Sequence, residues 1–218
     1  MSDLPLIGGL AIVLLVAVML WFALGTQRNI RRGNALLRWL QGGLPLLGSR
    51  TTFRWLGSTA VVLKIPQAQG PFREAEVVVV LEPRDVALLW AWSRRRGRRD
   101  FLILRGWLQR APRLEVEAGD DRGWTGGDRL KRLDLETWRD ASWGDEHVRM
   151  LTSRDAEAGL GRRAWDALEE ASGGVWRLSI RREHPHLEAH VRPPEDSVSA
   201  ERLFRAFREV GEKVTRTK

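Results

Sequence analysis

The segment Trp176–Val191, WRLSIRREHPHLEAHV, decides the fold class of this 218-residue chain. Apolar and polar residues alternate from Trp176 to Ile180, and they alternate again from Leu187 to Val191. A period of two is typical of β-strands that bury one face. The segment therefore predicts two consecutive strands with one apolar face each. We expect the polar face, which carries His190, to lie in solvent.

Helices are predicted on both sides of this strand pair. Ser153 or Asp155 can cap the helix before it, and Ser199 can cap the helix after it. Apolar residues recur at helical spacing in both segments, which predicts that each helix packs on the strands. These residues are Leu160, Ala164 and Leu168 in the first helix, and Leu203, Phe204, Phe207, Val210 and Val214 in the second.

The preceding part of the chain also predicts strands and one short helix. The predicted strands are Thr51–Leu56, Thr59–Ile65 and Glu74–Leu81, followed by a helix at Asp85–Arg95 and a hairpin of Phe101–Trp107 with Arg113–Glu117 around Ala111-Pro112. Together these elements predict an α+β fold, with one mixed or antiparallel sheet and helices on one face.

A possible internal repeat connects the two halves. Leu81–Asp85 resembles Leu151–Asp155, and Pro112–Glu115 resembles Pro185–Glu188. The order strand, helix, hairpin recurs at similar spacing, which indicates a tandem β-α-β-β unit. Chance similarity is the alternative, because the chain is rich in Arg and Leu.

The N-terminus carries an uncharged run of 21 residues from Leu4 to Leu24. At about 1.5 Å per residue, a helix of this length reaches about 31 Å and can cross a bilayer core of about 30 Å. A cleaved signal peptide is the alternative, with Ala23-Leu24-Gly25 as its small-residue site. The absence of Lys or Arg before the run, together with its length, favours a membrane anchor.

The positive charge of the chain is concentrated after this run. Residues 26–110 hold 15 Arg and one Lys against five acids, whereas residues 111–218 hold 20 basic and 22 acidic residues. Arginines directly downstream of a membrane span favour the cytoplasmic side. We therefore predict a single-pass inner-membrane protein with its N-terminus outside and its C-terminal domain in the cytoplasm.

The predicted organisation has five parts. They are a transmembrane anchor (1–25), a basic amphipathic juxtamembrane linker (26–50), a first α+β half (51–118), a loop (119–146) and a second α+β half (147–218). The linker either lies along the lipid headgroups or extends the spanning helix. Three arginines of the linker are candidate anion ligands: Arg28, Arg31 and Arg32.

The strongest local cluster joins two tryptophans to five arginines. Its members are Trp90, Trp92, Arg94, Arg95, Arg96, Arg98 and Arg99. Tryptophan beside arginine suits the interface of an anionic membrane. The same composition also suits nucleic acid, since guanidinium groups bind phosphates and indoles stack on bases. In a third interpretation both tryptophans are core residues and the arginines form a solvated loop.

The sequence contains no catalytic signature, so we predict no enzymatic activity and no cofactor. The chain has no cysteine, which excludes thiolate catalysis and cysteine-ligated metals. His184 and His186 have the His-x-His spacing of a metal site, but a third ligand is not evident, so they are weak candidates.

We therefore expect an interaction or scaffolding protein that is anchored in the membrane and whose basic half docks on anionic lipid. Its partners would be anionic lipids and a protein of unknown identity. A membrane-tethered module that binds nucleic acid is the alternative, and a metal-dependent hydrolase is a more remote one.

Overall fold

The computed structural model describes residues 4–126, 130, 138–153, 158–194 and 199–215, which form four α-helices and one nine-stranded sheet. The helices are α1 (Leu4–Gln41), α2 (Ala87–Arg95), α3 (Ala158–Glu170) and α4 (Ala200–Thr215). The strands are β1 (Thr52–Leu56), β2 (Ala60–Ile65), β3 (Phe72–Val80), β4 (Phe101–Leu108), β5 (Val116–Asp120), β6 (Arg139–Asp140), β7 (Val148–Thr152), β8 (Val175–Ile180) and β9 (Leu187–Val191).

All strand pairs in the sheet are antiparallel, in the order β1-β2-β3-β4-β9-β8-β5-β7-β6. The predicted α+β class is thereby confirmed, with an antiparallel sheet. β1 to β4 form a meander that is interrupted only by α2. β8 and β9 pair as the alternating segment predicts, and β9 joins the two halves by pairing with β4.

One face of the sheet carries the apolar core beneath the end of α1, α3 and α4. Residues that face one another across adjacent strands form continuous apolar rows, such as Val61, Val79, Leu102 and Val191. The predicted stripe of α4 is buried, and Phe207 stacks on Phe72 with ring centroids 5.0 Å apart. Ser199 caps α4 by accepting the backbone N–H of Arg202 at 3.3 Å, as predicted.

The opposite face of the sheet is polar and, over β8 and β9, buried. His186, Glu188 and His190 expose less than a tenth of their surface, so the expectation that this face lies in solvent is wrong. Several side chains cover parts of this face. Trp138 lies against the guanidinium group of Arg181, next to the end of β8, and Thr125 contacts His190. Leu130 and Trp138 pack against Leu151 on β7. These polar residues tolerate burial because they bind one another.

The predicted hairpin around Ala111-Pro112 is also wrong. β4 and β5 are not neighbours, because β9 and β8 lie between them. The proposed repeat requires the same strand pairing in both units, but β3 pairs directly with β4, whereas β7 and β8 are separated by β5. The structure therefore does not support a duplication. Asp155, one of the two predicted caps of α3, lies outside the described residues.

α1 is one continuous helix from the apolar run to Gln41, and it ends before Gly42-Gly43 as predicted. Its apolar part is long enough to cross a membrane, a property that signal sequences share. Residues 26–41 of the predicted linker extend α1 as one continuous helix. Leu36 and Leu40 of this extension are buried in the core cluster, so the end of α1 is part of the folded domain.

Candidate functional site

One face of α1 fixes the helix to the sheet domain. Gly25, Asn29, Gly33, Leu36 and Leu40 recur at intervals of three or four, and all are buried. The glycines permit close approach. A Cβ at position 25 would lie 2.2 Å from the backbone oxygen of Arg84, and one at position 33 would lie 2.4 Å from the indole of Trp55. The helix and the domain are therefore held in a defined orientation.

A tryptophan in the last apolar turn of α1 connects this helix to α2. The indole Nε1 of Trp21 donates a hydrogen bond to the backbone oxygen of Arg84 at 3.0 Å. Its ring centroid lies 6.1 Å from that of Trp90 on α2. Since Trp21 is three residues before the end of the apolar run, α2 lies at the level where that run ends.

The short helix α2 exposes an apolar surface. Trp92 is 49% exposed and Leu88 is 86% exposed, and their neighbours Val86 and Leu89 are also exposed. The interpretation in which both tryptophans are core residues is therefore wrong, since only Trp90 is partly covered. α2 thus presents apolar side chains beside the apolar run of α1. A patch of this kind marks a surface that contacts a membrane or another protein.

The five arginines at the end of α2 and directly after it have different partners. Arg94 pairs with Glu82 at 3.1 Å, and Arg96 lies over the ring of Trp92 at 4.4 Å. Arg98 donates to the backbone oxygen of Leu81. Arg99 donates to the backbone oxygens of Arg94 and Arg98, whereas Arg95 is exposed and has no partner among the described residues. They do not form one common patch.

Two buried carboxylates organise the contact between α1, α2 and the sheet. The carboxylate of Asp100 accepts hydrogen bonds from the two terminal guanidinium nitrogens of Arg84, at 2.9 and 3.1 Å. It also accepts hydrogen bonds from the backbone N–H of Glu82 and from the Nε of Arg32. Burial alone would raise the pKa of Asp100. These hydrogen bonds outweigh burial and hold its pKa below the usual range. Glu82 in turn accepts hydrogen bonds from Trp90 Nε1, at 2.6 Å, and from the guanidinium group of Arg94.

A cavity of about 670 Å³ opens where these groups meet the end of the apolar run. We call it the arginine cavity; its polar lining is Arg28, Arg32, Arg84, Arg94 and Asp100, and Trp21 and Trp90 lie at its apolar side. Arg28 has no hydrogen-bond or ion-pair partner among the described residues. The lining thus contains four arginines and one carboxylate. Glu82, which pairs with Arg94, adds a second carboxylate, so among the described residues two of the positive charges have no counter-charge.

Sequence reasoning identified Arg28, Arg32, Trp90 and Arg94 as anion or lipid ligands, and the structure brings these four together. It places Arg31 on the exposed surface of α1 outside the lining. Arg84, Asp100 and Trp21 were missed. For Asp100 the sequence offered a signal, since it is an acid directly after five arginines. An isolated carboxylate in a basic segment is expected to form an ion pair.

A second ionic network crosses the buried polar face of the sheet. Its alternating members, which we call the charge ladder, are Glu76, Arg105, Glu188, Arg177, Glu117 and Arg181. Each ion pair has an N···O distance between 2.8 and 3.4 Å. Ser179 also donates to Glu117, at 2.5 Å. Three carboxylates meet three guanidinium groups, so the ladder is neutral.

Glu188 occupies the centre of the charge ladder. Burial would raise its pKa, but hydrogen bonds from His190 and Arg105 and the charge of Arg177 lower its pKa to about 2. His190 also contacts the hydroxyl of Thr125 at 2.8 Å. The polar face of β8 and β9 is therefore a satisfied internal network, which explains how it tolerates burial.

The two histidines with metal-site spacing lie close together. The ring centroids of His184 and His186 are 4.2 Å apart. His186 Nδ1 accepts the backbone N–H of Leu108, and burial, followed by the charges of His184 and Arg73, lowers the pKa of His186. Within the described residues, no group of three or more His, Asp or Glu side chains has the arrangement of a metal site.

The relationship of the chain to known proteins adds no functional assignment. No protein-family model matches the chain, and no curated protein sequence matches it significantly.

Proposed function

We propose that this chain is a single-pass, membrane-anchored interaction protein. In this proposal α1 crosses the bilayer, and the domain docks on the anionic cytoplasmic leaflet through the exposed side chains of α2. Arginines after the apolar run favour the cytoplasm for the domain. The remainder of the domain is then available to a protein partner, so that the protein works by positioning that partner at the membrane.

The observation that supports docking is the contact between Trp21 and Trp90. If the apolar run spans the bilayer, Trp21 lies about 4.5 Å before its end, at a rise of 1.5 Å per residue. Trp90 is 6.1 Å from Trp21, ring to ring, and therefore lies within about 6 Å of its depth. Indole rings favour this depth, where the hydrocarbon core meets the headgroups.

The exposed residues of α2 suit the same location. Leu88, Leu89 and Trp92 would enter the boundary between headgroups and acyl chains, and Arg95 and Arg96 would lie among the anionic headgroups. A soluble domain would bury such a surface or cover it with a partner. The membrane supplies the cover here without any rearrangement of the domain.

The absence of cysteine permits a direct test in the full chain. An environment-sensitive fluorophore is attached at Leu88→Cys, at Val13→Cys in the apolar run, or at Arg110→Cys. β4 is about 23 Å long, at 3.3 Å per residue, and it starts close to α2. Arg110 lies two residues beyond the far end of this strand. Each protein is placed in nanodiscs of phosphatidylcholine and phosphatidylglycerol that contain brominated lipid.

We expect bromine to quench the labels at positions 13 and 88 and to leave the label at 110 unaffected. An unquenched label at 13 would contradict the anchor. A label at 88 that is as hydrated as the label at 110 would contradict docking. If the label at 88 responds to added RNA and not to brominated lipid, the nucleic-acid-binding alternative is favoured instead.

A further inference from the structure

The geometry points to a specific headgroup site: the arginine cavity binds the phosphate of one anionic phospholipid, whose acyl chains lie along the apolar run of α1. This inference rests on the proposed membrane docking. It differs from general attraction between a basic surface and an anionic membrane, because it assigns the ligand to one cavity and to particular guanidinium groups.

The arginine cavity carries more positive than negative charge. Arg84 is matched by Asp100 and Arg94 by Glu82, with N···O distances of 2.9 and 3.1 Å. Arg32 shares Asp100 at 3.2 Å while its side chain remains about half exposed. Arg28 lines the cavity without a partner among the described residues. A cavity with this excess of positive charge is complementary to a phosphate diester.

The buried side of the arginine cavity is preorganised. Arg84 is held by Asp100 and also donates to Asn29 Oδ1 at 3.1 Å, and only 16% of its side chain is exposed. Asn29 is fully buried, and its Nδ2 has no hydrogen-bond partner in the part of the chain that the structure describes. The buried side of the cavity therefore has a fixed cation. Arg28 and Arg32, on α1, are exposed and can close on a ligand from the open side.

The apolar side of the cavity distinguishes a lipid from free phosphate. Trp21, Leu24 and Trp90 give the cavity an apolar side, and α1 continues from it as an uninterrupted apolar surface. Inorganic phosphate would leave these apolar groups unused. A phospholipid would contact them with its glycerol and acyl chains while its phosphate meets the arginines, at the depth where membrane phosphates lie.

The test measures lipid bound to the full chain. Protein is purified in mild detergent with equal amounts of phosphatidylglycerol and phosphatidylcholine, and bound lipid is quantified by native mass spectrometry. Arg28→Gln removes a cavity ligand. Arg31→Gln is the matched control, because it removes the same charge three residues away, from an exposed position of the same helix that does not line the cavity.

We expect the native chain to retain phosphatidylglycerol in preference to phosphatidylcholine. Arg28→Gln should weaken retention about tenfold, as expected for loss of one charge-assisted hydrogen bond. Arg31→Gln should change retention by no more than about twofold, as expected for an exposed charge. Excess inorganic phosphate should not displace the lipid.

Equal losses in both variants would overturn the inference and leave only diffuse electrostatic attraction. Displacement by inorganic phosphate would overturn it in favour of a site for free phosphate, and retention without preference for the anionic lipid would also overturn it. The label at position 88 separates the two proposals. If that label is quenched by brominated lipid while both variants behave alike, docking stands and the headgroup site fails.

Discussion

The two ionic networks of this protein differ in charge balance. In the charge ladder, three carboxylates and three guanidinium groups alternate across the buried face of the sheet. The arginine cavity has two positive charges more than its carboxylates can match. A balanced network has no charge left for a ligand, whereas an unbalanced one gains from binding an anion. We therefore expect the ladder to maintain the fold, and we propose the cavity as the part of the molecule that binds a ligand.

Exposure differs between the middle of the charge ladder and the open side of the arginine cavity. Glu117 and Arg177, in the middle of the ladder, expose less than a tenth of their side chains. Arg28, Arg32 and Arg94 at the cavity are exposed or about half exposed. Removal of one partner from a buried pair leaves a charge without solvent, while an exposed charge is solvated and screened. Substitutions in the two networks should therefore have unequal effects on stability.

The largest effect is expected for Glu117→Ala. The Glu117 carboxylate accepts hydrogen bonds from Ser179 and Arg181 and pairs with Arg177, so its removal leaves buried cationic charge. The free energy of unfolding should fall by about 3 to 5 kcal/mol. Denaturant titration of the full chain in micelles measures this, with the exposed Glu146→Ala as control.

If Glu117→Ala prevents folding altogether, Glu117→Gln gives the milder comparison, because an amide can still accept the hydrogen bond from Ser179. A loss below about 1 kcal/mol in either variant would show that the ladder does not stabilise the fold, and the contrast between the networks would disappear.

A pH dependence of similar size is expected from Glu188. Because its pKa in the folded state is about 2, against an ordinary 4.5, folding is favoured by its charged form. This stabilisation is complete above pH 4.5 and is lost as the pH falls towards 2. The integrated change is on the order of 3 kcal/mol. Unfolding measured across this pH range should show a flatter profile for Glu188→Gln than for the native chain; parallel profiles would contradict the prediction.

The parts of the fold that could be predicted from the sequence are local. The alternation in β8 and β9 and the helical spacing in α4 are each visible within about 16 residues, and both elements are observed. The pairing of β4 with β9 joins residues more than 80 positions apart. No local pattern reveals that two later strands insert between β4 and β5, so Ala111-Pro112 was misinterpreted as a hairpin turn.

The burial of the polar face has the same explanation. The alternation correctly separated the two faces of β9, but polar residues are predicted to be exposed unless their partners are known. Glu188 is buried because Arg105 and Arg177 come from neighbouring strands. At the cavity, composition identified the arginines, and the acid that follows them, Asp100, indicated an ion pair. Its partners Arg84 and Arg32 could be recognised only from the fold.

A smaller effect is expected where the two regions of α1 differ in packing. A side chain at Gly25 would collide with the backbone of Arg84, whereas no atom of the described residues lies within 4 Å of a Cβ at Gly9. Gly25→Val should cost about 1 to 3 kcal/mol and should separate Trp21 from α2. A fluorophore at Leu88→Cys should then become more hydrated in nanodiscs.

Gly9→Val is the matched control, because it makes the same change in the same helix. It should alter neither the stability nor the emission of the label at position 88. An identical response to the two substitutions would indicate that Gly25 does not hold α1 against the domain, and that the depth of α2 is set by other contacts.

The smallest effect on stability is expected for Arg28→Gln, and it completes the comparison of the networks. Because Arg28 is exposed and unpaired among the described residues, its removal should change the free energy of unfolding in lipid-free micelles by less than about 0.5 kcal/mol. The same substitution at Arg177 breaks contacts with Glu117 and Glu188 and should cost several times more. A large loss for Arg28→Gln without lipid would assign Arg28 to the fold and remove the argument that the cavity holds charge in reserve for an anion. An unchanged fold, combined with the expected loss of phosphatidylglycerol, would separate binding from stability at a single residue.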